Sequence, residues 1–132
     1  VPGGEASSVA VIVAYGSMVD RAWQAATKLT ATGTPTAVIN ARFAKPLDMD
    51  LIARLISGHG ALATVEESSV CGFGALVLQH AANAGLLDSG KCILRTMTLP
   101  DSFQDHDDPR KQYDEACLNA EHIAAKVREC RA

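Results

Sequence analysis

The side chains able to do chemistry gather in two stretches, residues 66–74 and 101–109. Glu66 and Glu67 are adjacent carboxylates at the end of an apolar run. On an extended segment neighbouring side chains point to opposite sides, so they are a poor acid/base pair for a single bond. The expectation is structural: one carboxylate bonds the following loop, and the other faces a partner or solvent. Ser68, Ser69 and Cys71 follow, in a turn that invites a nucleophile. No Gly-x-Ser-x-Gly elbow surrounds them, and no histidine is identifiable as their base. Gly72-Phe73-Gly74 resembles the start of a dinucleotide fingerprint, but position 77 is Val and no acidic residue ends the next apolar run. The glycines are read instead as letting a helix start pack close to a sheet. Asp101, Asp105, His106, Asp107 and Asp108 could offer oxygen and nitrogen to a hard cation. Their spacing matches no Ca²⁺ loop and Pro109 interrupts it, so a solvated loop ahead of a helix is the preferred reading. His59, His80 and His122 are isolated, with His80 expected half-buried on a helix and the other two exposed.

These stretches need elements to position them. Residues 8–14 form a nearly unbroken apolar run, the pattern of a strand buried on both faces of a parallel sheet. Tyr15-Gly16-Ser17 is the turn, with Ser17 and Asp20 in a capping-box pattern. Val19, Ala22, Trp23, Ala26 and Leu29 recur at helical spacing, and Gly33 and Pro35 stop that helix. Residues 36–40 read as the second strand. Asp48 is the N-cap expected after Pro46, and Leu51, Ile52, Leu55 and Ile56 form the apolar face of a helix ending at Gly58. Residues 61–66 are the third strand and 73–84 the third helix, with Leu76, Val77, His80 and Ala81 on one side. Residues 92–99 are the fourth strand and 110–117 a short helix. Asn119 caps a last helix whose inner stripe is Ile123, Val127 and Cys130. Strand and helix alternate, so the fold class is α/β with a parallel sheet between two helix layers. Residues 1–7 read as a flexible lead-in, and residues 8–132 as one domain.

Composition narrows the partners. A net charge of -3 supplies no clustered cations for phosphate backbones, and six aromatic residues make no base-stacking platform, so nucleic acid is excluded as a partner. No apolar run nears the roughly 20 residues that span a bilayer, and residues 1–5 lack the basic start of a signal peptide, so a membrane is not expected. Cys71, Cys92, Cys117 and Cys130 show no Cys-x-x-Cys spacing and read as reduced, mostly buried thiols of a cytoplasmic protein.

Four segments together resemble the C-terminal domain of 1-deoxy-D-xylulose-5-phosphate synthases, in order and spacing from about residue 9 to the end. They are Val9-Ala10-Val11-Ile12-Val13-Ala14-Tyr15-Gly16-Ser17, Ala41-Arg42-Phe43-Ala44-Lys45-Pro46-Leu47-Asp48, Thr64-Val65-Glu66-Glu67-Ser68-Ser69-Val70-Cys71-Gly72-Phe73-Gly74 and Leu99-Pro100-Asp101-Ser102-Phe103-Gln104-Asp105-His106. The first and third are shared loosely with transketolases and the beta subunits of pyruvate dehydrogenases. The other two point to the deoxyxylulose branch. The resemblance implies a three-layer α/β/α sandwich with a four-stranded, mainly parallel sheet in the order 2-1-3-4. It implies a parent enzyme that condenses pyruvate with glyceraldehyde 3-phosphate, releasing CO₂, with thiamine diphosphate and Mg²⁺, on the way to isoprenoids and thiamine. The cofactor supplies the carbanion chemistry there.

This chain departs from whole family members in ways that set further expectations. The family's Gly-Asp-Gly…Asn motif for Mg²⁺ and diphosphate is absent, and so is the domain carrying the glutamate that activates thiamine. No catalytic, cofactor-binding or metal residue is therefore assigned, and these 132 residues are expected to bind no cofactor and to be inactive alone. Residues 1–7 do not resemble the family's leading edge strand, which leaves a sheet edge open that the full enzyme covers. Asp107 stands where the family usually has Gly. The expected role is structural, docking on the catalytic domains of the parent chain and supporting a homodimer. Two alternatives stand beside it: the same domain of another transketolase-like or 2-oxoacid dehydrogenase beta enzyme, and a stand-alone anion-binding module using helix starts at Ser17, Asp48 and Gly74.

Overall fold

The computed structural model describes residues 8–131, so the lead-in expected at residues 1–7 lies outside the described residues. Four strands, β1 (Ala10–Tyr15), β2 (Thr36–Asn40), β3 (Ala61–Glu66) and β4 (Ile93–Met97), form one sheet in the order β2-β1-β3-β4. All neighbours run parallel, with Ala10 opposite both Thr36 and Ala61, and Ala61 opposite Ile93. Between and after them come α1 (Val19–Ala31), α2 (Met49–Gly58), α3 (Phe73–Asn83), α4 (Pro109–Glu115) and α5 (Ala120–Glu129).

The central strands β1 and β3 are buried along almost their whole length because both faces of the sheet are covered. Side chains alternate across a strand, so Ala10, Ile12 and Ala14 of β1 face one helix layer and Val11 and Val13 face the other. On the first side lie Ala22, Ala25, Ala26 and Leu29 of α1 and Ile123, Ala124 and Val127 of α5. On the second lie Ile52, Leu55 and Ile56 of α2 and Phe73, Val77 and Ala81 of α3. Each fully buried Val, Leu or Ile contributes roughly 1.5–3 kcal/mol relative to exposure. The alanines of α1 have little side chain to bury and let its backbone approach the sheet closely.

Helix ends follow the sequence in most places. Asp48 caps α2, accepting from the Leu51 amide at 2.9 Å, and Asn119 caps α5, accepting from the His122 amide at 3.0 Å. Gly33 adopts φ +88 just past α1, a left-handed conformation that favours glycine. Other expectations need correction. Ser17 does not cap α1, because Gly16–Met18 form a 3₁₀ turn and Met18 occupies the cap position. Trp23 is 45% exposed, since Ala22, Ala25 and Ala26 take the inner face of α1. The fourth strand is shorter than expected, at Ile93–Met97. The short helix begins at Pro109, which fills the first helical position where its missing N–H costs nothing.

Candidate functional site

In parallel α/β sheets ligands bind beyond the carboxyl ends of the strands. Here that edge is made by the loops after β1, β2, β3 and β4. A cleft of about 510 Å³ lies between residues 42–45 and 66–73, with Tyr15, Arg42, Phe43, Glu66, Cys71 and Phe73 in its walls. A smaller, mainly apolar pocket of about 220 Å³ adjoins it, lined by Phe43, Pro46, Leu47, Leu51 and Phe73.

Glu66 closes the floor of this edge. It is 1% exposed, yet its carboxylate is fully engaged. Oε1 accepts from the Phe73 amide at 2.7 Å and from the Ser68 hydroxyl, and Oε2 accepts from the Gly74 amide. The first amides of a helix carry a partial positive charge, and a carboxylate here both satisfies and neutralises them. Glycine is required alongside. A Cβ at Gly72 would lie 1.9 Å from Glu66 Oε1, and one at Gly74 would lie 2.6 Å from Thr64 Oγ1. Gly72-Phe73-Gly74 therefore serves close packing against the chain's own carboxylate, as the sequence suggests.

Glu67 turns the other way, into an exposed cluster. It accepts from the Ser17 hydroxyl and, at 2.6 Å, from the Tyr113 hydroxyl, while the Arg21 guanidinium stacks 3.8 Å above the Tyr113 ring. The Ser17 bond, then the Tyr113 bond, then the charge of Arg21 hold the Glu67 carboxyl below its ordinary range. The same bond, with Glu67 as acceptor, pushes the Tyr113 phenol up. Ser17 and Tyr113 were not legible as partners of Glu67, because each lies more than 40 residues away.

The remaining candidates separate. Ser69 and Cys71 are exposed, while the Ser68 hydroxyl is spent on Glu66; no base addresses any of them among the described residues. In the acidic loop Asp108 caps α4 through the Arg110 amide at 2.8 Å, and Asp107 pairs with Lys111 at 3.4 Å. Among the described residues no three His, Cys, Asp or Glu side chains converge to hold a metal ion. The thiols correct an expectation: Cys71 and Cys117 are exposed and Cys130 is half-buried. Cys92 alone is buried, which pushes its thiol up to about 11. His59 is also buried rather than exposed, because its Nδ1 donates to the Leu55 carbonyl at 2.8 Å, one of the free acceptors at the end of α2. His122 is half-buried rather than exposed, and His80 is half-buried as expected.

The three helix starts proposed for an anion are answered by the chain itself. Asp48 sits on α2, Glu66 sits on α3, and Ser17 gives its hydroxyl to Glu67. A diphosphate brought to α2 or α3 would meet a carboxylate already in place, so these residues do not fit the thiamine diphosphate and Mg²⁺ that the resemblance implies for a parent enzyme.

The family described as "Transketolase, C-terminal domain" matches residues 5–123. The chain belongs to this family. Within the transketolase C-terminal domain family, it is 47% identical over 119 residues to 1-deoxy-D-xylulose-5-phosphate synthase of Rhodobacter capsulatus, covering 90% of this chain and 18% of that protein. It is 48% identical over 118 residues to 1-deoxy-D-xylulose-5-phosphate synthase 2 of Jannaschia sp. (strain CCS1), covering 89% of this chain and again 18% of the relative. The chain thus spans about a fifth of the length of the curated relatives it matches. Among solved structures it resembles a "split gene transketolase, inactive beta4 tetramer", with a TM-score of 0.77 and 29% identity over 92% of this chain and 38% of that one. The sheet order and helix layers expected of a transketolase C-terminal domain are those observed. No helix among the described residues is long and apolar enough to cross a membrane.

Proposed function

We propose that this chain is the C-terminal domain of a 1-deoxy-D-xylulose-5-phosphate synthase, a transferase joining pyruvate to glyceraldehyde 3-phosphate with loss of CO₂. Residues 8–132 are read as the folded unit. The domain supports the catalytic domains of a cytoplasmic, homodimeric parent enzyme, and those other domains hold thiamine diphosphate and Mg²⁺. The observation that carries this reading is 47–48% identity to two such synthases over about nine-tenths of the chain. The geometry supports a supporting role. Glu66 and Glu67 at the carboxyl edge are bonded to groups of the chain itself, and the α2 and α3 starts already carry carboxylates.

The test has two arms. The reading frame ahead of Val1 should encode the Gly-Asp-Gly…Asn motif, and the full-length protein should form 1-deoxy-D-xylulose 5-phosphate from pyruvate and glyceraldehyde 3-phosphate. The 132-residue chain, titrated calorimetrically with thiamine diphosphate and Mg²⁺, should give no binding heat. Turnover or tight cofactor binding by the 132 residues alone would overturn the supporting role. Inactivity of the full-length protein on these substrates would overturn the parent assignment.

A further inference from the structure

At the carboxyl edge of the sheet Glu66 is turned inward, while three large apolar side chains stand outward. Phe43, in the loop after β2, is 71% exposed, and Val70, after β3, is 49% exposed. Phe103, after β4, is exposed completely. Monomeric proteins rarely leave large apolar side chains gathered on one face without a partner for it. The three loops adjoin. Phe43 shares a cleft with Ser68, Cys71 and Gly72, and the Leu99 amide donates to the Ser68 carbonyl at 2.9 Å, tying the exit of β4 to the loop that carries Val70.

Phe103 is held in its outward position. Gln104 donates to the Gln112 carbonyl at 3.2 Å, and Gln112 donates to the Asp105 carbonyl at 3.0 Å, so α4 pins the chain directly after the ring. Beside Phe43, Arg42 and Lys45 are exposed and have no carboxylate within ion-pair distance among the described residues. A partner suited to this face presents apolar recesses and, next to the Phe43 contact, carboxylates. The curated relatives carry about four-fifths of their length outside the matched region, so a large body of the same polypeptide is available to supply that surface.

We infer that the strand-end face bearing Phe43, Val70 and Phe103, flanked by Arg42 and Lys45, seats this domain on the preceding part of its parent polypeptide. The inference rests on the proposed function and names the contact surface within it. Interfaces of this kind combine a buried apolar centre with a polar rim, and aromatic residues dominate the centre.

The test compares hydrogen–deuterium exchange in the full-length parent with that in the 132-residue chain. Residues 41–47, 67–72 and 99–106 should exchange at least tenfold more slowly in the parent, while the outer faces of α1 around Trp23 and of α3 around Leu78 should not change. In the parent, Phe43→Ser with Phe103→Ser should raise exchange in the three loops to the level of the isolated chain. Trp23→Ser with Leu78→Ser should leave it unchanged. The denaturation midpoint of each variant of the isolated chain reports whether it still folds. A single Arg42→Glu change, which adds a charge clash without removing apolar volume, should produce the same loosening. Protection around Trp23 and Leu78 with strand-end loops that exchange alike in both proteins would overturn the inference. So would sedimentation showing that the isolated chain dimerises and that the Phe43/Phe103 variant is monomeric, since the face would then receive a second copy of this domain. Synthase activity of the unmutated parent is scored separately, so failure of the parent assignment is distinguishable from failure of the docking face.

Discussion

Glu66 and Glu67 are consecutive residues whose surroundings differ in every respect. Glu66 lies under the start of α3 with its two oxygens bonded to two backbone amides and a hydroxyl. Glu67 lies in solvent, bonded to the tips of Ser17 and Tyr113. The first arrangement fixes how β3 leads into α3, and the second links the start of α1 to α4. Just beyond both, Phe43, Val70 and Phe103 are largely or half exposed. A catalytic edge keeps its carboxylates free for a substrate, whereas this edge commits Glu66 and Glu67 to partners within the chain and leaves large hydrophobes bare. That contrast marks a surface made for attachment.

The contrast can be attacked at its strongest point first. Glu66→Ala would strand the Phe73 and Gly74 amides in a buried site. At roughly 1–3 kcal/mol per unsatisfied group, the loss should reach about 3 kcal/mol or more in urea unfolding. A loss under about 1 kcal/mol would show that water replaces the carboxylate easily and that the clamp is not structural. Gly72→Ala should cost about 2 kcal/mol, because the new methyl collides with Glu66 Oε1. The two changes should be non-additive, since removing Glu66 removes the nearest of the colliding atoms and frees the Ser68 hydroxyl, the other one, to turn away.

Tyr113→Phe should cost under about 1 kcal/mol, as expected for an exposed hydrogen bond. Its signature is pH dependence. The folded-state value of Glu67 is lowered, so its contribution is present above the unfolded value near 4.5 and lost as pH falls through the folded one. The folded-state value of Tyr113 is raised, so its contribution is present below the unfolded value near 10 and lost as pH rises through the folded one. A stability profile of Tyr113→Phe should therefore show a smaller alkaline decline, the part due to the raised Cys92 and Cys130 thiols remaining, and a shallower acid decline. An unchanged profile would remove Glu67–Tyr113 from the account. Smallest of all, Phe43→Ser with Phe103→Ser should shift the unfolding free energy of the isolated chain by no more than about 0.5 kcal/mol. A larger loss would mean these rings serve the fold after all, and would weaken the contrast.

Much of this arrangement is readable in the residues. The four apolar runs define a sheet covered on both sides, and Asp48 and Asn119 announce their helices because an N-cap acts over only three residues. The opposed directions of Glu66 and Glu67 follow from strand geometry, and the glycines after them from the need for close approach. Less legible features depend on partners far apart in the chain. Ser17 looks like a cap by local pattern, but the Glu67 carboxylate competes for its hydroxyl across 50 residues. Trp23 looks like core by spacing, but Ala22, Ala25 and Ala26 occupy the inner face of α1 and the indole stays 45% exposed. His59 follows a helix stop and reads as surface, yet it lies four residues after Leu55, whose carbonyl is among the free acceptors of the last turn. The bare rim at Phe43, Val70 and Phe103 is invisible in composition, because the loop after β3 joins its neighbours only through contacts between residues far apart in the chain.

One further property follows from the way β1 feeds Ile12 to one side of the sheet and Val13 to the other. The two helix layers share a backbone partition but few side-chain neighbours. Substitutions on opposite sides, such as Leu29→Ala under α1 and Leu55→Ala under α2, should add almost independently. Each half of the molecule can then drift in sequence with little regard for the other, and a lineage can remodel one flank while inheriting the opposite flank intact.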